Sequence, residues 1–338
     1  MIKENVSLKP YNTFGLDVNA RYFVEITGTE QLLVLLKDPA WASQRKLFLG
    51  GGSNLLLLND FDGLVIKISL KGIRAVEDTP DHTVLRAGAG EVWHEFVLHC
   101  IGLNLGGVEN MALIPGTVGA APMQNIGAYG AEIKDTFHSL EALNLETLET
   151  EIFSPERCNF GYRESFFKHE GKDRYVILNV SLRLSKHPVI HTGYGAIQET
   201  LSEMGIDTPT IRDVSQAVIR IRQRKLPDPA VIGNSGSFFK NPEIPAGKFE
   251  KIREKYPNIP GYPLADHRVK VPAGWLIEQA GWKGKRFGEV GVHDKQALVL
   301  VNFGSGTGQE IAALAARIQA SVYQKFDISI SPEVNFIR

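Results

Sequence analysis

The stretch from Gly106 to Ala131 constrains the fold of this chain more than any other. It reads GGVENMALIPGTVGAAPMQNIGAYGA and has no charged residue after Glu109. Pro115 and Pro122 lack backbone donors, and the glycines permit close backbone approach. Such a segment is too apolar for a solvated loop and too interrupted for a core helix. Its unpaired N–H groups could bind a phosphate or ring edge of a ligand. A glycine-rich surface loop, or a segment that merely crosses a core, is the competing interpretation.

Length and charge exclude several classes of protein. A chain of 338 residues suggests two or three domains at roughly 150 residues each. The net charge of −1 supplies no field that attracts nucleic acid. Cys100 and Cys158 stand alone, which is typical of a reducing compartment. The start of the chain has no apolar leader, and prolines and amides interrupt its longest uncharged run. We therefore expect a cytoplasmic protein with no membrane or nucleic-acid partner.

The secondary-structure pattern favours an α+β fold. Strands alternate with single helices, but no dinucleotide-binding period of the Rossmann type appears. Thr307 and Glu310 form a capping box that predicts a helix to about residue 325. Apolar periodicity predicts further helices from about residue 92 and over 210–224. The alternating pattern predicts strands at 20–26, 83–87, 137–152, 175–185, 298–303 and 328–338, the last interrupted by Pro332. Pro188 separates His187 from His191, so no paired metal site is predicted.

Outside this stretch, several short segments carry candidate chemistry, each with a plain alternative. Gly50–Asn54 (GGGSN) follows a strand and could form a pyrophosphate nest, although many tight turns look similar. Arg163, among aromatics, could hold an anion or be a surface arginine. Ser237 could donate a proton or bond only its own turn. Lys225 could bind a diphosphate or complement a helix dipole.

Together these segments resemble one family, the UDP-N-acetylenolpyruvoylglucosamine reductases. The similarity covers nearly the whole chain in the order of the family, and Gly193-Tyr194-Gly195 resembles the tyrosine loop of its type I members. The matching segments are YNTFG (11–15), LGGGSNLL (49–56), GVENMALIPGTVGAAPMQNIGAYG (107–130), FGYRESFFK around Arg163, RKLPDP (224–229), GNSGSFFKNP (233–242), AGWLIEQAG (273–281) and SPEVNFIR (331–338).

The resemblance implies a flavin fold of the vanillyl-alcohol-oxidase/PCMH type. It implies two FAD-binding subdomains, residues 1–70 and 71–222, with the strand 327–338 returning to the second. A smaller α/β substrate-binding domain would span residues 223–326. The implied ligands are non-covalent FAD, NADPH as reductant and a UDP-sugar, bound by a monomer without a metal.

The implied reaction reduces an enolpyruvyl ether to a lactyl ether, giving UDP-N-acetylmuramate for peptidoglycan synthesis. Hydride from flavin N5 would reach the vinyl β-carbon, and Ser237 would give a proton to the α-carbon. Arg163 would stabilise the intermediate negative charge, and Glu333 would help as a protonated donor. Tyr194, Lys225, Asn241 and Gln296 would bind the substrate. The implied FAD contacts are Gly50, Gly51, Gly52, Ser53, Asn54, Pro115, Gly116, Thr117, Gly119, Ala120, Asn125, Ile126, Gly127 and Tyr129.

Two departures from the family pattern affect this interpretation. Ala120 and Ala121 stand where the family often has serines, so two hydroxyl donors are lost. Asn335 stands where the family often has an arginine, so a charge contact to the substrate must come from elsewhere. Two other functions stay open: a related flavin oxidoreductase that oxidises an alcohol or sugar, and a non-enzymatic UDP-sugar-binding protein.

Overall fold

A computed structural model describes residues 1–338. The helices are α1 (Thr29–Lys37), α2 (Trp93–Gly102), α3 (Pro155–Cys158), α4 (Gly195–Glu203), α5 (Ile211–Lys225), α6 (Ala246–Lys255), α7 (Ala273–Gln279) and α8 (Gly308–Phe326). The strands are β1 (Lys3–Ser7), β2 (Asn19–Ile26), β3 (Lys46–Leu49), β4 (Leu55–Leu57), β5 (Phe61–Ile68), β6 (Ile73–Asp78), β7 (His82–Gly88), β8 (Gly127–Ala128), β9 (Ala131–Glu132), β10 (Phe137–Asn144), β11 (Thr150–Phe153), β12 (Tyr175–Ser185), β13 (Gly233–Ser237), β14 (Glu243–Pro245), β15 (Tyr262–Pro263), β16 (Arg268–Lys270), β17 (Arg286–Phe287), β18 (Val290–Val292), β19 (Val299–Asn302) and β20 (Asn335–Ile337).

The chain divides into two compact units. Unit 1 comprises residues 1–6, 20–52 and 62–224, and unit 2 comprises residues 7–19, 53–61 and 225–338. The strands and helices together confirm the predicted α+β class. The domain boundaries implied by the resemblance stay predictions.

Unit 1 is built around an antiparallel sheet in the order β11-β10-β12-β7-β6. The central strands bury consecutive residues, such as Val180, Ser181 and Leu182 of β12, so both faces of the sheet are covered there, whereas the edge strand β6 is mostly exposed. The buried cluster also takes in the apolar faces of α2 and α5, including Trp93, Phe96, Val214 and Val218. A second sheet, β1-β2-β5-β3, includes a parallel pair in which Leu49 of β3 lies opposite Lys67 of β5.

Unit 2 contains a sheet in the order β13-β19-β18-β17 and a small sheet in the order β14-β16-β15. Helix α8 packs on β18 and β19 and buries Ile311, Leu314, Ile318 and Val322. Thr307 and Glu310 make both hydrogen bonds of the capping box, which confirms that prediction. The last strand, β20, pairs in parallel with β4.

Two predictions of strand length were wrong. The strand predicted over 137–152 is two strands, because the Asn144 side chain accepts the N–H groups of Glu146 and Thr147 and forms a turn. The strand predicted over 328–338 is confined to β20 at its end. Helix α4, which begins at Gly195 directly after Tyr194, was not predicted. The apolar pair Ile197 and Leu201, at i,i+4 spacing, was the available signal for that helix.

Candidate functional site

The central segment, Gly106–Ala131, belongs to the core of unit 1. It winds through three short 3-10 turns and buries Val108, Met111 and Val118. Its backbone is held by the loop before α2, since Val118 N–H donates to Glu91 O at 2.8 Å and Gly119 N–H to Ala89 O at 2.9 Å. The surface-loop interpretation is therefore wrong for this segment.

The two segments expected to hold the cofactor phosphates lie against each other. A Cβ added to Gly50 would lie 2.8 Å from Thr117 Oγ1, and one added to Gly51 would lie 2.8 Å from Gly116 Cα. Residues 50–52, here called the glycine turn, thus approach the central segment backbone to backbone. This turn follows β3 at the carboxyl end of the parallel pair β3–β5, a position where open sheets commonly bind ligands.

Ala120 and Ala121 differ in their surroundings. Ala120 is exposed, and its Cβ lies 3.7 Å from a Cβ built on Gly50. Ala121 is 1% exposed and belongs to the hydrophobic core of unit 1. A serine hydroxyl at 121 would face that core, whereas one at 120 would lie beside the glycine turn. The loss of a ligand contact at these two positions stays a prediction.

Several backbone donors of the central segment already have partners within it. Ala120 N–H donates to Thr117 O at 3.0 Å, and Ile126 N–H donates to Ala121 O at 3.1 Å. With Gly119 N–H bound to Ala89 O and Asn125 N–H to Pro122 O, at least four of the predicted cofactor-contact positions have their N–H groups paired inside the chain. Cofactor contacts at these positions would have to use other atoms.

Three hydrogen bonds tie the central segment to the turn that carries Arg163. Asn125 Nδ2 donates to Gly161 O at 2.9 Å, and Arg163 Nη2 donates to Gly127 O at 2.7 Å. Ser165 Oγ donates to Met123 O at 2.7 Å. The turn, residues 161–164, is closed by reciprocal backbone hydrogen bonds between Gly161 and Glu164. We call this arrangement the three-bond tie.

Asn125 is the fixed centre of this tie. It is 0% exposed and has a φ of 44°, a left-handed conformation that asparagine tolerates better than most residues. Its Oδ1 accepts from Lys134 N–H, and its Nδ2 also donates to Glu132. Since the amide has partners at both ends, Asn125 positions the arginine turn from within the protein.

Tyr129 and Tyr194 meet on the other side of the central segment. Their ring centroids are 5.4 Å apart in an edge-to-face arrangement, and Tyr194 is 52% exposed. Burial raises the pKa of Tyr129, although the nearby Arg222 guanidinium opposes that shift. The structure thus brings a residue expected to bind cofactor against one expected to bind substrate.

Two residues that the sequence did not single out hold Leu113 of the central segment. His94 Nδ1 accepts from Leu113 N–H at 3.0 Å, and Arg222 Nε donates to Leu113 O at 3.2 Å. Leu113 has a φ of 59°, a strained conformation for this residue. Burial lowers the pKa of both His94 and Arg222.

In unit 2, a β-bulge determines the exposure of Ser237. Asn234 pairs with Val301 and Ser237 with Val299, so two residues of β13 face Leu300 alone. Gly236 takes the bulge with a φ of 68°, which glycine adopts without penalty. As a result Ser237 is exposed while Phe238 is buried.

Glu333 lies beside the segment that carries Ser237. Its N–H donates to Phe238 O at 2.8 Å, and a bridge pairs Phe239 with Pro332. Two of the three predicted catalytic residues, Ser237 and Glu333, are therefore on neighbouring segments of unit 2. Asn335 Nδ2, at the departure from the family pattern, donates to Asn54 O at 3.0 Å, which ties the last strand to the GGGSN segment.

Two predicted substrate residues converge at the start of α7. Asn241 Oδ1 accepts from Ala273 N–H at 2.9 Å. Gln296 Oε1 lies 3.1 Å from a Cβ built on Gly274. Lys225 is the last residue of α5 and is exposed.

Comparison with known proteins identifies the family. Residues 20–147 match the FAD binding domain, and residues 228–337 match the UDP-N-acetylenolpyruvoylglucosamine reductase C-terminal domain. The chain is 53% identical over 337 residues to the UDP-N-acetylenolpyruvoylglucosamine reductase of Flavobacterium johnsoniae, which covers 99% of both chains. It is 51% identical over 334 residues to that of Pseudomonas savastanoi pv. phaseolicola, covering 99% of this chain and 98% of the relative.

The chain belongs to the UDP-N-acetylenolpyruvoylglucosamine reductase family. As a member of this reductase family it is a flavin-dependent oxidoreductase with FAD as its cofactor. The crystal structure of the reductase from Thermus caldophilus matches the whole of both chains with a TM-score of 0.69 at 22% identity. A VAO-type flavoprotein from Myceliophthora thermophila matches 95% of this chain and 73% of its own, with a TM-score of 0.50 at 14% identity. These likenesses confirm the predicted flavin fold. Every helix of the reductase is too short or too polar to cross a bilayer.

Proposed function

We propose that the chain reduces UDP-N-acetylenolpyruvoylglucosamine to UDP-N-acetylmuramate with NADPH as reductant, in the synthesis of peptidoglycan precursors. The observation that carries the proposal is the 53% identity to a reductase of that name over nearly the full length. The three-bond tie supports it, because it joins a segment expected to hold the cofactor to the residue expected to stabilise the reaction intermediate.

The residues of unit 1 fit a bound FAD. The glycine turn and Pro115–Thr117 form a cradle in which a Cβ added to Gly51 would collide with the Gly116 backbone and one added to Gly50 with Thr117 Oγ1. Such close-packed glycine segments suit phosphate groups, which need backbone approach rather than side chains. FAD, when bound, supplies the hydride for the reduction. The glycine turn and residues 115–117 would hold its diphosphate, and Tyr129 would border its ring system.

Arg163 has the properties required of an electrostatic catalyst. Addition of hydride to the vinyl β-carbon leaves negative charge on the α-carbon, delocalised into the carboxylate. A guanidinium stays charged at every physiological pH and offers several donors in a rigid fork. One of the donors of Arg163 is fixed by Gly127 O. The fork would therefore meet the developing charge with little reorganisation.

Ser237 and Glu333 would supply the proton and a further hydrogen bond for the reaction. The exposed Ser237 hydroxyl would transfer its proton to the substrate α-carbon, which balances the hydride added at the β-carbon. Glu333, held beside Phe238, would donate a hydrogen bond in its protonated form. Asn241, Gln296, Lys225 and Tyr194 would bind the UDP-sugar.

The Ser237→Ala variant tests these roles. Bleaching of the flavin absorbance by NADPH should stay at the wild-type rate, because it needs no proton from Ser237. Recolouring by substrate should slow by at least about a hundredfold, the lower range for loss of a general acid. Two fast half-reactions in this variant would show that Ser237 is not the proton donor. Ser305→Ala, in an exposed loop of the same unit, is the matched control.

A further inference from the structure

The ammonium group of Lys67 lies directly behind the glycine turn. Lys67 Nζ donates to Gly50 O at 2.6 Å. The position follows from strand register, because Lys67 on β5 lies opposite Leu49, the last residue of β3 before Gly50. Its neighbours Ile66 and Ile68 belong to the hydrophobic core, so Lys67 projects from the other face of β5.

This lysine is only partly exposed and has no ion-pair partner. Gly50 O is its one hydrogen-bond acceptor. Burial lowers the pKa of Lys67, Glu25 opposes that shift and Lys71 adds to it. The Glu25 carboxylate accepts a hydrogen bond from Ser69 at 2.6 Å. An ammonium in this setting bears a desolvation cost that an anion bound nearby would offset.

The hydrogen bond to Gly50 also orients the next backbone donor. The peptide bond between Gly50 and Gly51 is trans, since the chain has no cis peptide. In a trans peptide the carbonyl and the following N–H point in opposite directions. Lys67, by holding Gly50 O, therefore turns the N–H of Gly51 away from itself. A cation on a carbonyl also polarises its peptide and makes that N–H a stronger donor.

We propose that Lys67 is part of the FAD site, where its ammonium fixes the Gly50–Gly51 peptide and supplies positive charge to the diphosphate of the cofactor. This inference rests on FAD as the cofactor and on the glycine turn as its phosphate cradle. A lysine suits a diphosphate as a compact point charge. None of the family motifs quoted above includes Lys67, which is why the sequence did not reveal it.

The test measures FAD binding to the apoprotein by flavin fluorescence over a series of NaCl concentrations. Lys67→Met removes both the charge and the donor, whereas Lys67→Gln keeps a donor for Gly50 O but removes the charge. Lys67→Met should weaken FAD binding by at least about tenfold, the effect of losing a hydrogen bond to a charged group. Both variants should show a shallower salt dependence than the wild type, because salt screens charge interactions.

The control is Lys37→Met, which removes the same charge from an exposed position at the end of α1. It should keep the wild-type affinity and salt dependence. Two outcomes would overturn the inference: wild-type FAD affinity in Lys67→Gln, or weaker FAD binding in either variant with an unchanged salt dependence. Either outcome would mean that the charge of Lys67 does not act on the cofactor. If Lys67→Met does not fold, Lys67→Gln decides by the same readout. A wild-type apoprotein that binds no FAD would overturn the cofactor assignment as well.

Discussion

Arg163 Nη2 donates to the carbonyl oxygen of Gly127 at 2.7 Å, and this bond joins the arginine turn to the central segment. It is flanked by the bonds from Asn125 to Gly161 and from Ser165 to Met123. Every second residue of 123–127 is thus hydrogen-bonded to one of every second residue of 161–165, within unit 1. The position of the guanidinium therefore depends on buried groups that need not touch any ligand.

Replacement of Asn125 by alanine should lower both stability and turnover. The variant removes the fully buried Asn125 amide, so that Lys134 N–H loses its acceptor and Gly161 O keeps only the bond from Glu164 N–H. The expected cost is about 1–3 kcal/mol of unfolding free energy, measured by urea denaturation. The kcat should fall because the Arg163 turn loses its anchor. Asn258→Ala, at an exposed position, is the control. Unchanged kcat and stability in Asn125→Ala would contradict the three-bond tie.

The bulge at Gly236 should be required for the position of Ser237. Gly236→Ala places a Cβ at a φ of 68° in open space, so the cost is backbone strain of about 1–2 kcal/mol. We expect slower substrate reduction, with NADPH-dependent bleaching of the flavin preserved. Gly236→Asn should retain more activity, since asparagine tolerates this conformation better. Equal activity of all three proteins in the recolouring assay would show that the bulge does not place Ser237.

The close approach at Gly119 should tolerate no side chain. A Cβ at this position would lie 2.4 Å from Ala89 Cβ and 3.1 Å from Ala89 O. Gly119→Ala must separate the central segment from the loop before α2, with an expected loss of about 1–3 kcal/mol and weaker FAD retention. Gly102→Ala, in helix α2 with nothing near the added Cβ, is the matched control and should be neutral or stabilising. The melting temperatures of the two variants are measured by thermal unfolding, and Gly119→Ala should melt at the lower temperature. Equal melting temperatures would contradict the close approach at Gly119.

Protonation of His94 should destabilise the central segment. Burial lowers the pKa of His94, Arg222 lowers it further and Glu95 opposes them. Its neutral Nδ1 accepts from Leu113 N–H, and protonation removes that acceptor. Because the folded-state pKa lies below the unfolded value of about 6.5, this stabilisation is complete above that pH and is lost as the pH falls through the folded pKa.

The His94→Asn variant isolates this effect, since asparagine Oδ1 can accept the same hydrogen bond without titrating. Urea midpoints measured from pH 7.5 down to pH 5 should fall less steeply in the variant than in the wild type. His187→Asn, at an exposed position, should keep the wild-type slope. A His94→Asn slope identical to that of the wild type would contradict the assignment.

Local sequence signals predicted those elements whose determinants lie close together in the chain. The capping box of Thr307 and Glu310 and the apolar face of α2 are of this kind. The same reasoning missed the turn at Asn144, because the alternating pattern continues through it. The resemblance supplied candidate catalytic residues that no periodicity could distinguish from surface serines and arginines.

The contacts that shape the site join distant parts of the sequence. Arg222 and Leu113 are 109 positions apart, and Asn125 and Gly161 are 36 apart. No local pattern in either member of these pairs specifies the other. Lys67 illustrates the same limit, because its role depends on strand register that places it beside Gly50. The sequence likewise does not show that Ala120 is exposed near Gly50 whereas Ala121 is buried in the core, because both facts depend on tertiary packing.

The most direct test of the proposed function is the visible spectrum of the purified protein under anaerobic conditions. It should show bound flavin that NADPH bleaches and that UDP-N-acetylenolpyruvoylglucosamine recolours without oxygen, with formation of UDP-N-acetylmuramate. A flavin that NADPH does not bleach, or a reduced flavin that this substrate does not reoxidise, would contradict the proposal.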